Sequence, residues 1–144
     1  MGKKKEVDDR FKKFGTVSFT SISKINDFID YLEKGKIMGS ECKKCGRVFF
    51  PPRADCHECL SSDMGWFEVE GAGKLETYSK LKYAPAGFKD DAPYTIAVIA
   101  YGKHKIFGRI SDAVPEDEIK IGMKMKTVSN TLSNGQINFI FEKE

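Results

Sequence analysis

Hydrophobic and polar positions along the chain follow two different periods. Ile22, Ile25, Phe28, Ile29 and Leu32 recur at three- and four-residue steps, with Asn26, Asp27, Asp30 and Glu33 between them. This spacing predicts an amphipathic helix over residues 22–35. Ser21 or Ser23 is placed to cap its start, and Gly35 to stop it. The apolar stripe suits packing on the chain's own core or docking on a partner, and the sequence leaves both open.

From Trp66 onward the period is two. Trp66 to Lys82 reads as one long strand interrupted by Gly71-Ala72-Gly73, where a bulge or sharp bend fits. Tyr94 to Tyr101 and His104 to Ile110 read as a hairpin joined at Gly102-Lys103. Pro115 to Ile119 suits one short helical turn. Met123 to Leu132 and Gln136 to Phe141 complete the set across Ser133-Asn134-Gly135, an Asn-Gly turn. A long bent strand, a hairpin, a short helix and two more strands is the order of a five-stranded OB-fold barrel, with Ile137, Phe139 and Phe141 on its core face. Another small antiparallel barrel is the alternative.

Between helix and strands lie all four cysteines, Cys42-Lys43-Lys44-Cys45 and, ten residues on, Cys56-His57-Glu58-Cys59. A two-residue spacer lets one tight turn aim two sulfurs at one ion, and two such knuckles complete a tetrahedral shell. A pair of disulfides is the competing reading, and iron accepts the same four thiolates; zinc is the expected ion. A closed four-sulfur shell leaves no position for water or substrate, so the metal is expected to be structural. His57 reads as an exposed turn residue. Gly46 follows the first knuckle, where a positive φ is often needed; Leu60 stands at the matching place after the second, which predicts a less regular knuckle there.

With 144 residues, 40% of them hydrophobic, the chain supports a modest core. The expected organisation is mainly β: a flexible N-terminal extension over 1–21, the helix over 22–35, a rubredoxin-like zinc ribbon over 36–63 and the OB-fold over 64–144. No apolar run approaches the roughly 20 residues of a membrane span. Met1-Gly2-Lys3-Lys4-Lys5 is followed by Glu6, Asp8 and Asp9 rather than an apolar stretch, so a cytoplasmic protein is expected. Residues 1 to 13 hold six basic and three acidic side chains, which accounts for the whole net charge of +3 and leaves 18 of each sign elsewhere. A neutral body argues against a phosphate track. Single-stranded nucleic-acid binding, with Tyr78, Tyr83, Tyr101 and Phe107 as stacking platforms, is the alternative function.

The segment Cys42-Lys-Lys-Cys-Gly-Arg-Val-Phe-Phe-Pro-Pro-Arg53, followed by Cys56-x-x-Cys59 and a barrel, resembles the zinc-ribbon and OB-fold proteins that accompany thiolases and related acyl-CoA condensing enzymes. Gly71-x-Gly73-Lys74, Tyr83-Ala84-Pro85-Ala86-Gly87-Phe88, Pro93-Tyr94, Gly108-Arg109 and Ile121-Gly122-Met123 match in the same order; Leu60 departs from the family's glycine. Such proteins accompany thiolases, hydroxymethylglutaryl-CoA synthases, steroid side-chain enzymes and benzoylsuccinyl-CoA thiolase. The resemblance implies a non-catalytic subunit, in a hetero-oligomer with a thiolase-like catalytic subunit, that helps bind or channel the CoA part of an acyl-CoA. Aromatic (benzoylsuccinyl-CoA) or fatty acyl-CoA degradation is the setting it implies.

The residue inventory agrees. Thiolase chemistry needs an activated cysteine, and every cysteine here is expected on the metal, leaving His57 and His104 without an evident partner. His104 reads as a surface strand residue. Val48-Phe49-Phe50-Pro51-Pro52 offers apolar surface between Arg47 and Arg53, which suits a protein interface or CoA, although Phe49 and Phe50 equally suit a joint between ribbon and barrel. Phe88 lies in the loop between the first two barrel strands, and Tyr83 and Arg109 belong to the matching motifs. The candidate interface is therefore Arg47, Phe49, Phe50, Arg53, Tyr83, Phe88 and Arg109.

Overall fold

The computed structural model describes residues 24–144. The expected extension over 1–21, the helix start at Ile22 and the candidate caps Ser21 and Ser23 lie outside the described residues. Helix α1 spans Asp27–Glu33, shorter than the stripe suggested, and buries Phe28, Ile29 and Leu32. Gly35 ends it at φ +76°, and the Lys36 N–H returns to the Tyr31 carbonyl at 2.9 Å.

A three-stranded antiparallel sheet follows, in the order β2-β1-β3, from β1 (Met38–Cys42), β2 (Val48–Phe49) and β3 (Met64–Glu68). The expected long strand from Trp66 is therefore divided. Its first part, β3, pairs with β1 from Cys42↔Met64 to Met38↔Glu68 in the ribbon sheet, and its second part, β4 (Gly73–Leu81), enters the barrel. Period-two alternation is the same in either sheet, so the pattern alone does not reveal the crossing at Gly71, where φ is +73°. A Cβ on Gly73 would lie 2.6 Å from both the Ala100 carbonyl oxygen and Ile99 Cγ2, so only glycine lets β4 lie against β5 there.

The second sheet contains β4, β5 (Tyr94–Tyr101), β6 (His104–Arg109), β7 (Lys124–Thr131) and β8 (Ile137–Lys143), in the order β6-β5-β4-β7-β8. Strand β4 pairs with β7 at Gly73 and Lys74 and with β5 along its length; its register shifts between Leu75 and Thr77. That irregularity bends the strand so that it serves both sides of the barrel. A parallel bridge between Ile110 and Phe141, with the Ser111 N–H donating to the Phe141 carbonyl at 2.8 Å, nearly closes the five strands into an OB-fold. The turns at Gly102 and Gly135 hold positive φ, as their sequences predict, and Glu116–Glu118 forms a 3-10 turn after Pro115.

One core joins the parts. Leu75, Ile99, Ile106, Met125, Phe139 and Phe141 fill the barrel, and Phe28, Ile29 and Leu32 of α1 pack on them. Phe28, Ile29 and Leu32 of the stripe are thus committed to their own chain. Phe50 meets Phe28 and Phe139 edge-on, with centroids 5.9 and 5.1 Å apart, and joins ribbon, helix and barrel. Replacing Phe50 with alanine should lower stability by about 2–3 kcal/mol, somewhat below the range for a fully buried phenylalanine, with metal content retained. Denaturant unfolding beside metal analysis checks this.

Candidate metal centre and barrel surface

Each knuckle is built by the same backbone bonds. The Gly46 N–H donates to the Cys42 carbonyl at 2.8 Å and the Leu60 N–H to the Cys56 carbonyl at 3.0 Å. The Cys42 N–H takes the Arg47 carbonyl and the Cys56 N–H the Ser61 carbonyl, at 2.8 and 2.9 Å. The second knuckle is as regular as the first, against expectation, because Leu60 adopts the left-handed conformation at φ +58°, beside φ +73° at Gly46. An L side chain in that region is strained by roughly 1–2 kcal/mol.

The four sulfurs all lie within 4.8 Å of one another. Cys42 Sγ is 3.5 Å from Cys59 Sγ, and Cys45 Sγ is 3.6 Å from Cys56 Sγ. A tetrahedral zinc site places its sulfurs about 3.8 Å apart, so the set fits one ion. These separations far exceed a disulfide bond, about 2.05 Å. Backbone N–H groups, that of Cys45 first, hold the Cys42 thiol down at about 7, and the N–H of Cys59 lowers Cys56. Cys45 is pushed up to about 12: the Arg47 N–H favours its thiolate, but desolvation and the neighbouring sulfurs outweigh that. A cation among the sulfurs removes this conflict. Cys42, Phe49 and Cys56 form the buried core of the ribbon, with Cys59 and Met64 against it.

The other expected site residues are scattered. Arg47 pairs with Glu58 at 3.4 Å on the surface of the second knuckle. Phe49 is buried and meets the His57 ring edge-on at 5.3 Å, with the Arg53 guanidinium 5.8 Å from its centroid. The Arg53 N–H donates to Ser40 Oγ at 2.8 Å. The apolar surplus expected at Val48–Pro52 is thus largely absorbed by packing of Phe49 and Phe50. His57 remains an exposed turn residue. Tyr83 is 92% exposed in the loop after β4, and Phe88 is half-buried further along it. Arg109, at the end of β6, stacks on Tyr94 with its guanidinium carbon 4.1 Å from the ring centroid. Of the residues beside Arg109, Tyr94 belongs to the matching Pro93-Tyr94 motif, whereas Asp91 carries no motif that sequence reasoning would single out.

His104 departs from its expected surface role. Its ring stacks on Tyr101 and meets Phe67 of the ribbon edge-on, with centroids 5.6 and 5.1 Å away, and burial lowers its pKa. It lies on a cleft of about 790 Å³ between ribbon and barrel, together with Glu68, Glu70, Lys74 and Glu76. The nucleic-acid platforms are not gathered either. Tyr101 turns to Thr127, with its hydroxyl 2.9 Å from Oγ1, and Tyr78 donates to the Ile119 carbonyl. Lys105 is tied to Glu76, so beside exposed Phe107 β6 offers no free cation track.

Known proteins align with this arrangement. A family model described as the ChsH2 rubredoxin-like zinc ribbon domain matches residues 30–65, and one described as the ChsH2 C-terminal OB-fold domain matches 66–130. A DUF35 domain-containing scaffold protein of Methanocaldococcus jannaschii is 39% identical over 98 residues, covering 67% of this chain and 69% of that protein. The chain belongs to the DUF35 family. Within that family, a scaffold protein of Pyrococcus furiosus is 30% identical over 71% of the chain and 74% of its own length. The benzoylsuccinyl-CoA thiolase subunit BbsA of Thauera aromatica is 30% identical over 54% of the chain and 53% of its own length. The solved Ltp2-ChsH2(DUF35) aldolase shares the fold at TM-score 0.66 and 21% identity, over 83% of this chain and 94% of that one. The four-cysteine ribbon is therefore a zinc-ribbon-type metal site. No helix among the described residues is long and apolar enough to cross a membrane.

Three outcomes test the site. Leu60→Gly should stabilise the protein by about 1 kcal/mol with metal content unchanged, because glycine releases the strain at φ +58°; a thermal melt reads it. Cys45→Ala should lose the metal and loosen the ribbon, seen as lost metal stoichiometry and faster hydrogen exchange over β1–β3. The depressed pKa of His104 favours folding above the unfolded value of about 6.5 and loses that contribution as pH falls toward the folded value. Stability of His104→Phe should therefore fall less than that of the parent between pH 7 and 5.

Proposed function

We propose that this chain is the non-catalytic, zinc-binding subunit of a thiolase-type acyl-CoA acyltransferase complex, in which it helps bind or channel the CoA thioester. The observation that carries the reading is the convergence of all four cysteines on one site whose sulfurs lie within 4.8 Å. With four thiolates around one zinc, the chain retains no free thiol to act as an acyl-accepting nucleophile. Kinship with a benzoylsuccinyl-CoA thiolase subunit supports a thiolase-like partner that supplies that cysteine, and the name scaffold borne by other relatives supports an accessory role. Degradation of aromatic or fatty acyl-CoA is the proposed setting, in the cytoplasm, where free thiolates persist and bind metal.

The test is to purify the chain with the thiolase-like subunit co-produced from its native source and to assay acyl transfer to CoA. The chain alone should be inactive, the pair active, and the partner alone impaired in kcat/KM for the acyl-CoA. Robust turnover by the isolated chain, or full activity of the partner without it, would contradict the proposal.

A further inference from the structure

The outer face of the barrel carries a charge arrangement that the described residues leave incomplete. Residues opposite one another across antiparallel strands share a face, so Thr77, Val98 and Phe107 stand in one row and Ser79, Ile96 and Arg109 in the next. Leu75, Ile99 and Ile106 point the other way into the core. Ile96 and Val98 are partly buried and Phe107 is 49% exposed, an apolar stripe that the barrel interior does not use.

Arg109 closes this stripe at one end. Its side chain is only 12% exposed, and Nη1 faces Asp91 Oδ1 at 3.8 Å, beyond hydrogen-bond reach. Nε and Nη2, which form the side-on fork of the guanidinium, are buried without a hydrogen-bond partner among the described residues, and so is Asp91 Oδ2. Buried donors and acceptors left unpaired are costly, so the Arg109–Asp91 pair is a poor resting arrangement. The segment bearing Asp91 is lightly packed: none of residues 82–93 is buried, and its internal hydrogen bonds from Phe88 to Pro85 and from Asp91 to Phe88 are local.

We propose that this face docks the catalytic subunit, and that a carboxylate of that subunit replaces Asp91 in the Arg109 fork while apolar side chains cover Ile96, Val98 and Phe107. The inference rests on the accessory-subunit reading. Charge complementarity selects a carboxylate. Exchange of one carboxylate for another keeps the pair neutral, and the fork matches a planar carboxylate with two parallel bonds. A phosphate dianion would exceed the charge of one guanidinium, and Lys105, the next cation on β6, is already paired with Glu76 at 2.8 Å.

The experiment titrates the full-length, metal-loaded chain against the thiolase-like subunit and compares four variants, each first checked for zinc content and melting. Arg109→Gln should weaken association by at least about tenfold, and Arg109→Lys should fail to restore it because the fork is lost. Phe107→Glu, at a position 49% exposed, should weaken it too once its fold and zinc content are confirmed. Asp91→Asn should tighten it, since the internal competitor no longer carries a charge. No association of the parent chain would overturn both this inference and the accessory reading. Parent association with unchanged binding of Phe107→Glu, of Asp91→Asn or of folded Arg109→Gln would overturn the inference alone. A response of the Arg109 Nε–H resonance in the isolated chain to CoA or inorganic phosphate would overturn it in favour of a small-anion site.

Discussion

Four sulfurs must be held within reach of one ion, and the rest of the molecule is arranged around that requirement. The ribbon's own buried core is Cys42, Phe49 and Cys56, far too little apolar surface to fold a three-stranded sheet unaided. Metal binding supplies the missing stabilisation, so in this region binding energy and folding energy are the same quantity. Once the knuckles are set, β1 is fixed between β2 and β3, and both neighbours lead onward. Strand β2 runs into Phe50, which enters the barrel core, and Trp66 of β3 meets Tyr31 of the helix edge-on at 5.4 Å. Ribbon, helix and barrel thereby share one interior rather than forming beads on a string.

The same requirement shapes the chemistry. Committing every cysteine to a closed shell stabilises the fold and removes the strongest nucleophile the chain could have offered. The histidines do not compensate. His57 sits exposed beside Glu58, with Nε2 3.7 Å from its carboxylate, and His104 is held between two aromatic rings with its Nε2 buried and without a hydrogen-bond partner among the described residues. What the barrel presents outward is a partly satisfied arginine, Arg109, which supports the proposed assembly with another protein.

Where a local rule dictates structure, the sequence was legible. The C-x-x-C spacing announced the metal site, Gly102 and Asn134-Gly135 announced their turns, and the alternation at Ile137, Phe139 and Phe141 announced the core face. Four features were not legible, for separate reasons. Strand β3 has the same period in either sheet, so its membership in the ribbon depends on pairing with β1, a tertiary fact. Leu60 violates the positive-φ preference, and only the surrounding knuckle bonds force it to φ +58°. For Phe49 and Phe50 the sequence leaves two readings open, exposed interface or joint between ribbon and barrel, and only the barrel wall at Phe50 and the metal knuckles at Phe49 choose packing over exposure. The setting of Arg109 against Tyr94 and Asp91 brings together residues from β6, β5 and the loop before β5, which no local pattern encodes.

The most direct measurement is a thiol titration of the native, metal-loaded chain with a small aromatic disulfide, followed in parallel by a zinc-sensitive dye. The structure predicts no rapidly reacting thiol before a chelator or denaturant is added, and then release of one zinc together with four thiols. A thiol that reacts at once while the metal stays bound would mean that a nucleophile is free, and would contradict the proposal that this chain is a structural rather than a catalytic subunit.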